Sequence, residues 1–212
     1  MMDVIRICIL VGSARTSGNS VGISKWVNNV LDDLLHDSSY GITKYNVTVI
    51  DPHTKPHPIH PVLDETIPAL RQDSMSYSSQ EVREWSEFIQ SCSALIVVTP
   101  QYNWGYPSTL KLAIDVLYRE WRAKPAAVVT LGGHGGSKCD EQLRQVMAGV
   151  KMDTVEQRVQ ITLPEQYIRG NERVTPSEER DTFLADYKDG LQIALKQLIE
   201  KIGNRKSESE TK

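Results

Sequence analysis

The stretch Ile5-Arg6-Ile7-Cys8-Ile9-Leu10-Val11-Gly12-Ser13-Ala14-Arg15-Thr16-Ser17-Gly18-Asn19-Ser20 sets the pattern that the rest of the chain repeats. Ile5 to Gly12 is a short apolar run ending in glycine, which suits a strand buried on both faces. A polar loop follows. Beyond it Ile23, Trp26, Val27, Val30, Leu31 and Leu34 stand at i, i+3, i+4, i+7, i+8 and i+11, the stripe of a helix laid on a sheet.

The same alternation continues outward. Tyr45–Ile50, Ala94–Thr99, Ala126–Leu131 and Arg158–Leu163 read as further strands, with helices over Gln80–Cys92, Pro107–Trp121, Glu141–Val150 and a last one through Ile202. Five strands alternating with helices, each strand too apolar to face water, predict an α/β three-layer sandwich around a five-stranded parallel sheet. Residues 1–203 form a single domain in this reading, and 204–212 a polar, disordered tail. The segment 51–79 departs from the pattern. Its five prolines (Pro52, Pro56, Pro58, Pro61, Pro68) predict an extended excursion with one short helix near Asp64–Arg71. His53, His57 and His60 within it share no helical face and read as solvated loop residues, so no metal site is expected.

Bulk properties exclude several classes. A net charge of −3 over 212 residues gives no electrostatic reason for nucleic acid or an anionic membrane surface as partner. No apolar run approaches the ~20 residues that a bilayer needs, and Met1-Met2-Asp3 opens no signal peptide. Cys8, Cys92 and Cys139 are odd in number and widely spaced, which argues against a disulfide framework and suits a reducing, cytoplasmic setting.

In open α/β sheets ligands bind beyond the carboxyl ends of the strands. Three unusual loops follow strands here. In the first, Ser13, Arg15, Ser17, Asn19 and Ser20 surround a helix N-terminus and make a phosphate cradle, with Arg15 adding a charged fork. Asn19 stands where a Walker A loop has its Lys, and Ala14 where a tyrosine-phosphatase loop has its Arg, so neither motif is present. The second, Pro100-Gln101-Tyr102-Asn103-Trp104-Gly105-Tyr106-Pro107, sets amides and aromatic rings between two prolines, as a flat heteroaromatic ring would require. In the third, Gly132, Gly133, His134, Gly135 and Gly136 leave backbone amides approachable. His134 is assigned no proton-transfer role.

At these loops the sequence resembles the NAD(P)H-dependent FMN reductases, a flavodoxin-like family that includes chromate, azo and quinone reductases. The matching pieces are Gly12-Ser13-x-Arg15, Pro100-Gln-Tyr-Asn103, Gly105-Tyr-Pro107, Leu110-Lys111-x-Ala113-Ile114-Asp115 and Gly132-Gly-His-Gly-Gly136. Likeness is greatest to the family's fungal quinone reductases, over Thr99–Asp115 and Gly132–Cys139. Leu112 stands where Asn is common, and Leu131 where a polar or aromatic residue is frequent.

The resemblance implies a noncovalent FMN and NADPH or NADH as co-substrate. Its phosphate would lie in the first loop, including Arg15, and its isoalloxazine between Gln101, Tyr102, Asn103, Trp104 and the Gly132 loop. Flavin N5 would carry the hydride, so no catalytic acid or base is named. A quinone, a flavin or a similar small molecule would be the acceptor, and a homodimer would be built on the 107–121 helix. Two other readings share these loops. One is a flavodoxin-type electron carrier, which would present a strongly acidic rim. The other is a redox-sensing flavoprotein that binds a protein partner through 51–79.

Overall fold

The structure, a computed structural model, describes residues 4–37, 44–58, 60, 66–176 and 180–210, with side chains to 205. Strand β1 (Ile5–Val11) leads into α1 (Asn19–His36), and β2 (Tyr45–Ile50) follows. After the excursion come α2 (Gln80–Ser91), β3 (Ala94–Pro100) and α3 (Ser108–Asp115). The chain continues with β4 (Pro125–Gly132), α4 (Ser137–Gly149), β5 (Asp153–Thr154), β6 (Val159–Thr162), α5 (Glu165–Ile168) and α6 (Ala185–Glu210).

All pairings are parallel, in the order β2-β1-β3-β4, with β5 and β6 both on the far edge of β4. The fifth strand expected at Arg158–Leu163 is β6, and β5 is a further two-residue strand beside it. Asp153–Thr154 pairs with Pro125–Ala126, and Val159–Thr162 with Val129–Gly132. Between the two strands, side chains take over from the ladder. Arg144 donates to the Val155 and Gln157 carbonyls at 2.7 and 3.3 Å, and the Gln157 amide donates to Gln197 Oε1 at 3.0 Å.

The period of two along each strand divides the core. Ile7 and Ile9 of β1, Ile96 and Val98 of β3, and Val129 of β4 pack with α1 and α6. Cys8, Leu10, Leu95, Val97 and Val128 face the other way, onto α2, α3 and α4. Each such fully buried aliphatic side chain contributes roughly 1.5–3 kcal/mol.

Three expectations need correction. The helix over 107–121 stops at Asp115, and a separate 3-10 turn forms at Arg119–Trp121. Its cause is two tryptophans. The indole N–H of Trp85 donates to the Ala113 carbonyl at 2.8 Å and that of Trp121 to the Ile114 carbonyl at 2.9 Å, the acceptors that a continuing helix would use. The freed Tyr118 amide turns to Glu120 Oε2 at 3.3 Å.

His57 is not solvated. It is 4% exposed, with its ring centroid 5.5 Å from that of Trp85. His53 and His60 do lie at the surface. The polar tail from 204 is helical as far as Glu210. In the excursion a 3-10 turn forms at Pro68–Leu70, while Asp64 and Glu65 of the expected short helix lie outside the described residues.

Candidate functional site

The carboxyl ends of β1, β3 and β4 are tied to one another. The Gly12 amide donates to the Val98 carbonyl at 2.9 Å, Gln101 to Leu131 at 3.0 Å and Leu163 to Gly132 at 3.0 Å. Just beyond them lies a cavity of about 690 Å3. Strand order reverses between β1 and β3, so the cavity sits at the topological switch point.

The β1–α1 loop forms one wall. Ser13 is 3% exposed, and its Oγ lies 3.1 Å from the donating Arg15 amide and 2.7 Å from Tyr102 Oη. Gly18 caps α1 without a side chain, and the first turn of α1 carries no acid. The amides that open this helix therefore face the cavity with no internal anion, an arrangement suited to a phosphate. Arg15 lies over the Tyr102 ring, Cζ 4.5 Å from its centroid.

The second wall is a two-residue hairpin. The amides and carbonyls of Tyr102 and Gly105 exchange hydrogen bonds at 2.9 Å, and Asn103 and Trp104 at the tip have φ of 48° and 71°. Two adjacent non-glycine residues in the left-handed region are strained, by about 1–3 kcal/mol each. Contacts from α4 hold them there. Gln142 Nε2 donates to the Trp104 carbonyl at 3.2 Å, and Gln101 Oε1 accepts from the Cys139 amide at 3.2 Å.

The site residues expected from sequence divide into three groups. Ser13, Arg15, Ser17, Asn19, Ser20, Pro100, Gln101, Tyr102, Asn103, Gly132 and Gly133 all line the cavity. Trp104 does not. It is 69% exposed at the hairpin tip, with Lys138 Nζ 5.9 Å from its ring centroid. His134 is exposed outside the lining, and Gly136 serves the fold: at φ 75° its missing Cβ would lie 2.9 Å from Thr130 Cβ. Asn19 lines the cavity with its amide already engaged. Nδ2 donates to the Tyr167 carbonyl at 2.8 Å, and Oδ1 accepts from the Val174 amide at 3.0 Å.

Sequence reading missed the wall that Asn19 holds. Leu163, Tyr167, Ile168 and Arg173 close the cavity opposite the hairpin. Arg173 Nε donates to the Ser17 carbonyl at 3.1 Å, bringing a second guanidinium to the phosphate loop. The segment meets α1 so closely that a Cβ on Gly22 would lie 1.8 Å from the Val174 carbonyl oxygen. These residues follow β6, so the carboxyl-end rule that singled out three loops applies to this fourth one too.

The lining has a telling chemistry. Arg15 and Arg173 are its only charged side chains among the described residues, and it contains no Asp, Glu, His or Cys. Such a cavity favours an anion and offers no protein group for acid–base catalysis near neutral pH. Hydroxyls, helix-opening amides and two guanidinium groups fit the phosphate of FMN. The approachable backbone of Pro100–Asn103 and Gly132–Gly133 fits the edge of a planar ring.

Comparison with known proteins agrees. Residues 5–165 match the family model described as NADPH-dependent FMN reductase. An NAD(P)H-dependent FMN reductase of Saccharomyces cerevisiae is 38% identical over 151 residues, covering 71% of this chain and 78% of the yeast protein. A quinone reductase of Pseudomonas putida is 32% identical over 114 residues, 49% of this chain and 57% of the bacterial one. Among solved structures, a flavoenzyme NAD(P)H:(acceptor) oxidoreductase from Paracoccus denitrificans superposes with a TM-score of 0.58 at 21% identity, over 92% of this chain and 98% of that one, which shows the flavodoxin-like fold. The chain belongs to the NADPH-dependent FMN reductase family.

Proposed function

We propose that this protein is an FMN-dependent NAD(P)H oxidoreductase that reduces quinones, flavins or related small acceptors. The observation that carries the reading is the cavity at the switch point, with two arginines, an uncapped helix N-terminus and no acidic side chain in its lining. When bound, FMN supplies the chemistry by accepting hydride from the nicotinamide and handing it on. The protein's part is binding and exclusion. Ser13, Ser17, Ser20 and the amides opening α1 would hold the phosphate with Arg15. Pro100–Asn103 and Gly132–Gly133 would border the ring and leave one face to substrates in turn. Trp104, His134 and Gly136 are left out of this binding set.

A direct test is the absorption of purified protein loaded with FMN, followed by anaerobic addition of NADPH or NADH. Bleaching to the two-electron-reduced flavin within seconds, and reoxidation by added quinone with ping-pong kinetics, is the expected result. Protein that holds no FMN, or holds it unreduced, would overturn the reading.

The same reading includes a homodimer and a cytoplasmic address. All three cysteines are free thiols, as a reducing compartment favours. Leu112 remains partly exposed on α3, whereas Val116 packs partly against the α2–α4 core. Leu112 is therefore the better probe. Light scattering coupled to a sizing column should give a dimer for the wild type and a monomer for Leu112→Glu. A wild-type monomer at micromolar concentration, or a dimeric Leu112→Glu, would remove the α3 interface.

A further inference from the structure

At the amino end of the sheet, remote from the cavity beyond the strands' carboxyl ends, lies a buried cation with no carboxylate paired to it. Lys124 stands between the 3-10 turn at Arg119–Trp121 and the start of β4. It is 3% exposed, and its Nζ donates to the carbonyls of Ile89 at 2.7 Å and Cys92 at 2.5 Å. An ammonium has three N–H groups, so one is left over. Among the described residues, neither Lys124 nor Arg205 takes part in an ion pair. A desolvated charge held in this way is costly unless an anion meets it. Burial first and Arg205 second push the Lys124 pKa down to about 8, which leaves the ammonium protonated at neutral pH.

Lys124 opens onto a cavity of about 240 Å3 that Arg205 of α6 also lines. Ser93 adds a third donor. Its Oγ accepts from the Arg6 amide at 3.2 Å, which leaves the hydroxyl hydrogen to be given. Among the described residues no Asp or Glu lines this cavity. An adjoining cavity that shares Lys124 and Arg205 does include Glu120 and Asp73. Both carboxylates are engaged elsewhere: Glu120 with Ser86, Tyr77 and the Tyr118 amide, and Asp73 with the Ser76 amide at 2.9 Å.

We propose that the smaller cavity is a second anion site, which takes inorganic phosphate or the phosphate head of a short ester through Lys124, Arg205 and the Ser93 hydroxyl. Charge selects the class of ligand. Two cations and a hydroxyl donor, with no carboxylate in the lining, favour a compact dianion over a neutral or cationic solute. Size limits it further. At ~30 Å3 per water in the liquid the cavity holds several waters, enough for a tetrahedral oxyanion. It falls below the roughly 300–1,000 Å3 of clefts that enclose drug-sized ligands, so few atoms beyond the phosphate can follow. A bound phosphate would bridge the segments that open β3 and β4 to α6, and would satisfy the spare Lys124 N–H. Occupancy is therefore linked to stability.

The test uses the full chain saturated with FMN, so that the cradle at α1 is filled. Inorganic phosphate is titrated by calorimetry in chloride buffer of matched ionic strength. One phosphate per chain should bind, and the thermal midpoint should rise with phosphate but not with the matched chloride. Arg205→Ala removes one charged contact and should weaken phosphate about tenfold, while Lys124→Met should abolish binding, with FMN affinity unchanged in both. Glycerol phosphate separates the two sources: tighter binding than inorganic phosphate assigns the site to esters, and equal or weaker binding to the free ion. The proposal fails if Arg205→Ala binds phosphate as the wild type does, or if chloride stabilises as much as phosphate. Phosphate that binds the FMN-free chain but not the saturated one would lie in the α1 cradle and would also overturn it. Arg205 is exposed on α6, so its variant decides the matter should Lys124→Met fold poorly. Absent FMN binding would appear separately, in the flavin absorbance.

Discussion

The cavity at the carboxyl end of the sheet and the polar cluster between α2 and the 119–121 turn treat polar groups in opposite ways. In the cluster every strong group has found an internal partner. Glu120, 7% exposed, accepts from Ser86 Oγ at 2.6 Å, from Tyr77 Oη at 3.2 Å and from the Tyr118 amide at 3.3 Å. At the cavity, the first amides of α1 have no side-chain cap, and the Arg15 guanidinium rests on an aromatic face rather than on a carboxylate. The contrast separates polar residues that hold the fold from those kept for a ligand. A buried polar group with its partners inside the chain belongs to stability; one left facing a cavity at the switch point belongs to binding.

The most forceful way to break this division is Glu120→Ala. It orphans two buried hydroxyls and an amide, each costing about 1–3 kcal/mol, for a total loss of about 3–9 kcal/mol. Denaturant unfolding should show that loss, while FMN affinity of the folded protein stays within about twofold of wild type. A large fall in FMN affinity without loss of stability would erase the distinction.

Arg15→Ala tests the other side. Loss of a charge-assisted contact to phosphate, about 1.5–3 kcal/mol, should weaken FMN by roughly 10- to 150-fold with stability unchanged. Riboflavin lacks the phosphate and should lose far less. Equal losses for both ligands would show that Arg15 does not read phosphate.

His57 sharpens the comparison, because it breaks the rule for buried groups. Its Nδ1 lies 2.8 Å from the Pro58 carbonyl, which fixes the proton there, and its buried Nε2 has no partner. Burial holds its pKa below the ordinary value, partly opposed by the Pro58 contact. The folded state therefore binds fewer protons than the unfolded chain. The contribution of neutral His57 is fully present above about 6.5 and is lost as pH falls from there through the folded value. The stability of wild type relative to His57→Phe should decline over that acid range. A difference independent of pH would show that the ring titrates freely.

Much of this was legible in the residues themselves. β1, β3 and β4 are apolar runs that no other element could bury, and a loop after each is visible as glycine, hydroxyl and amide. What stayed hidden depends on partners far along the chain. The break after Asp115 is imposed by the Trp85 indole, 28 residues away from the carbonyl it takes. His57 is buried because Trp85 packs against it, within a segment whose prolines and serines look solvated. Arg173 reaches the phosphate loop only because Asn19, a residue assigned to the ligand, is spent on holding that segment.

The Asn19–Val174 contact joins residues 155 positions apart, and it has a consequence for biosynthesis. The ribosome delivers the phosphate loop first, yet the wall that finishes its cavity emerges only after the last strand. A growing chain can assemble β1 to β4 and still present FMN with a site open on one side. The complete pocket therefore exists only once the chain has been read at least through Val174.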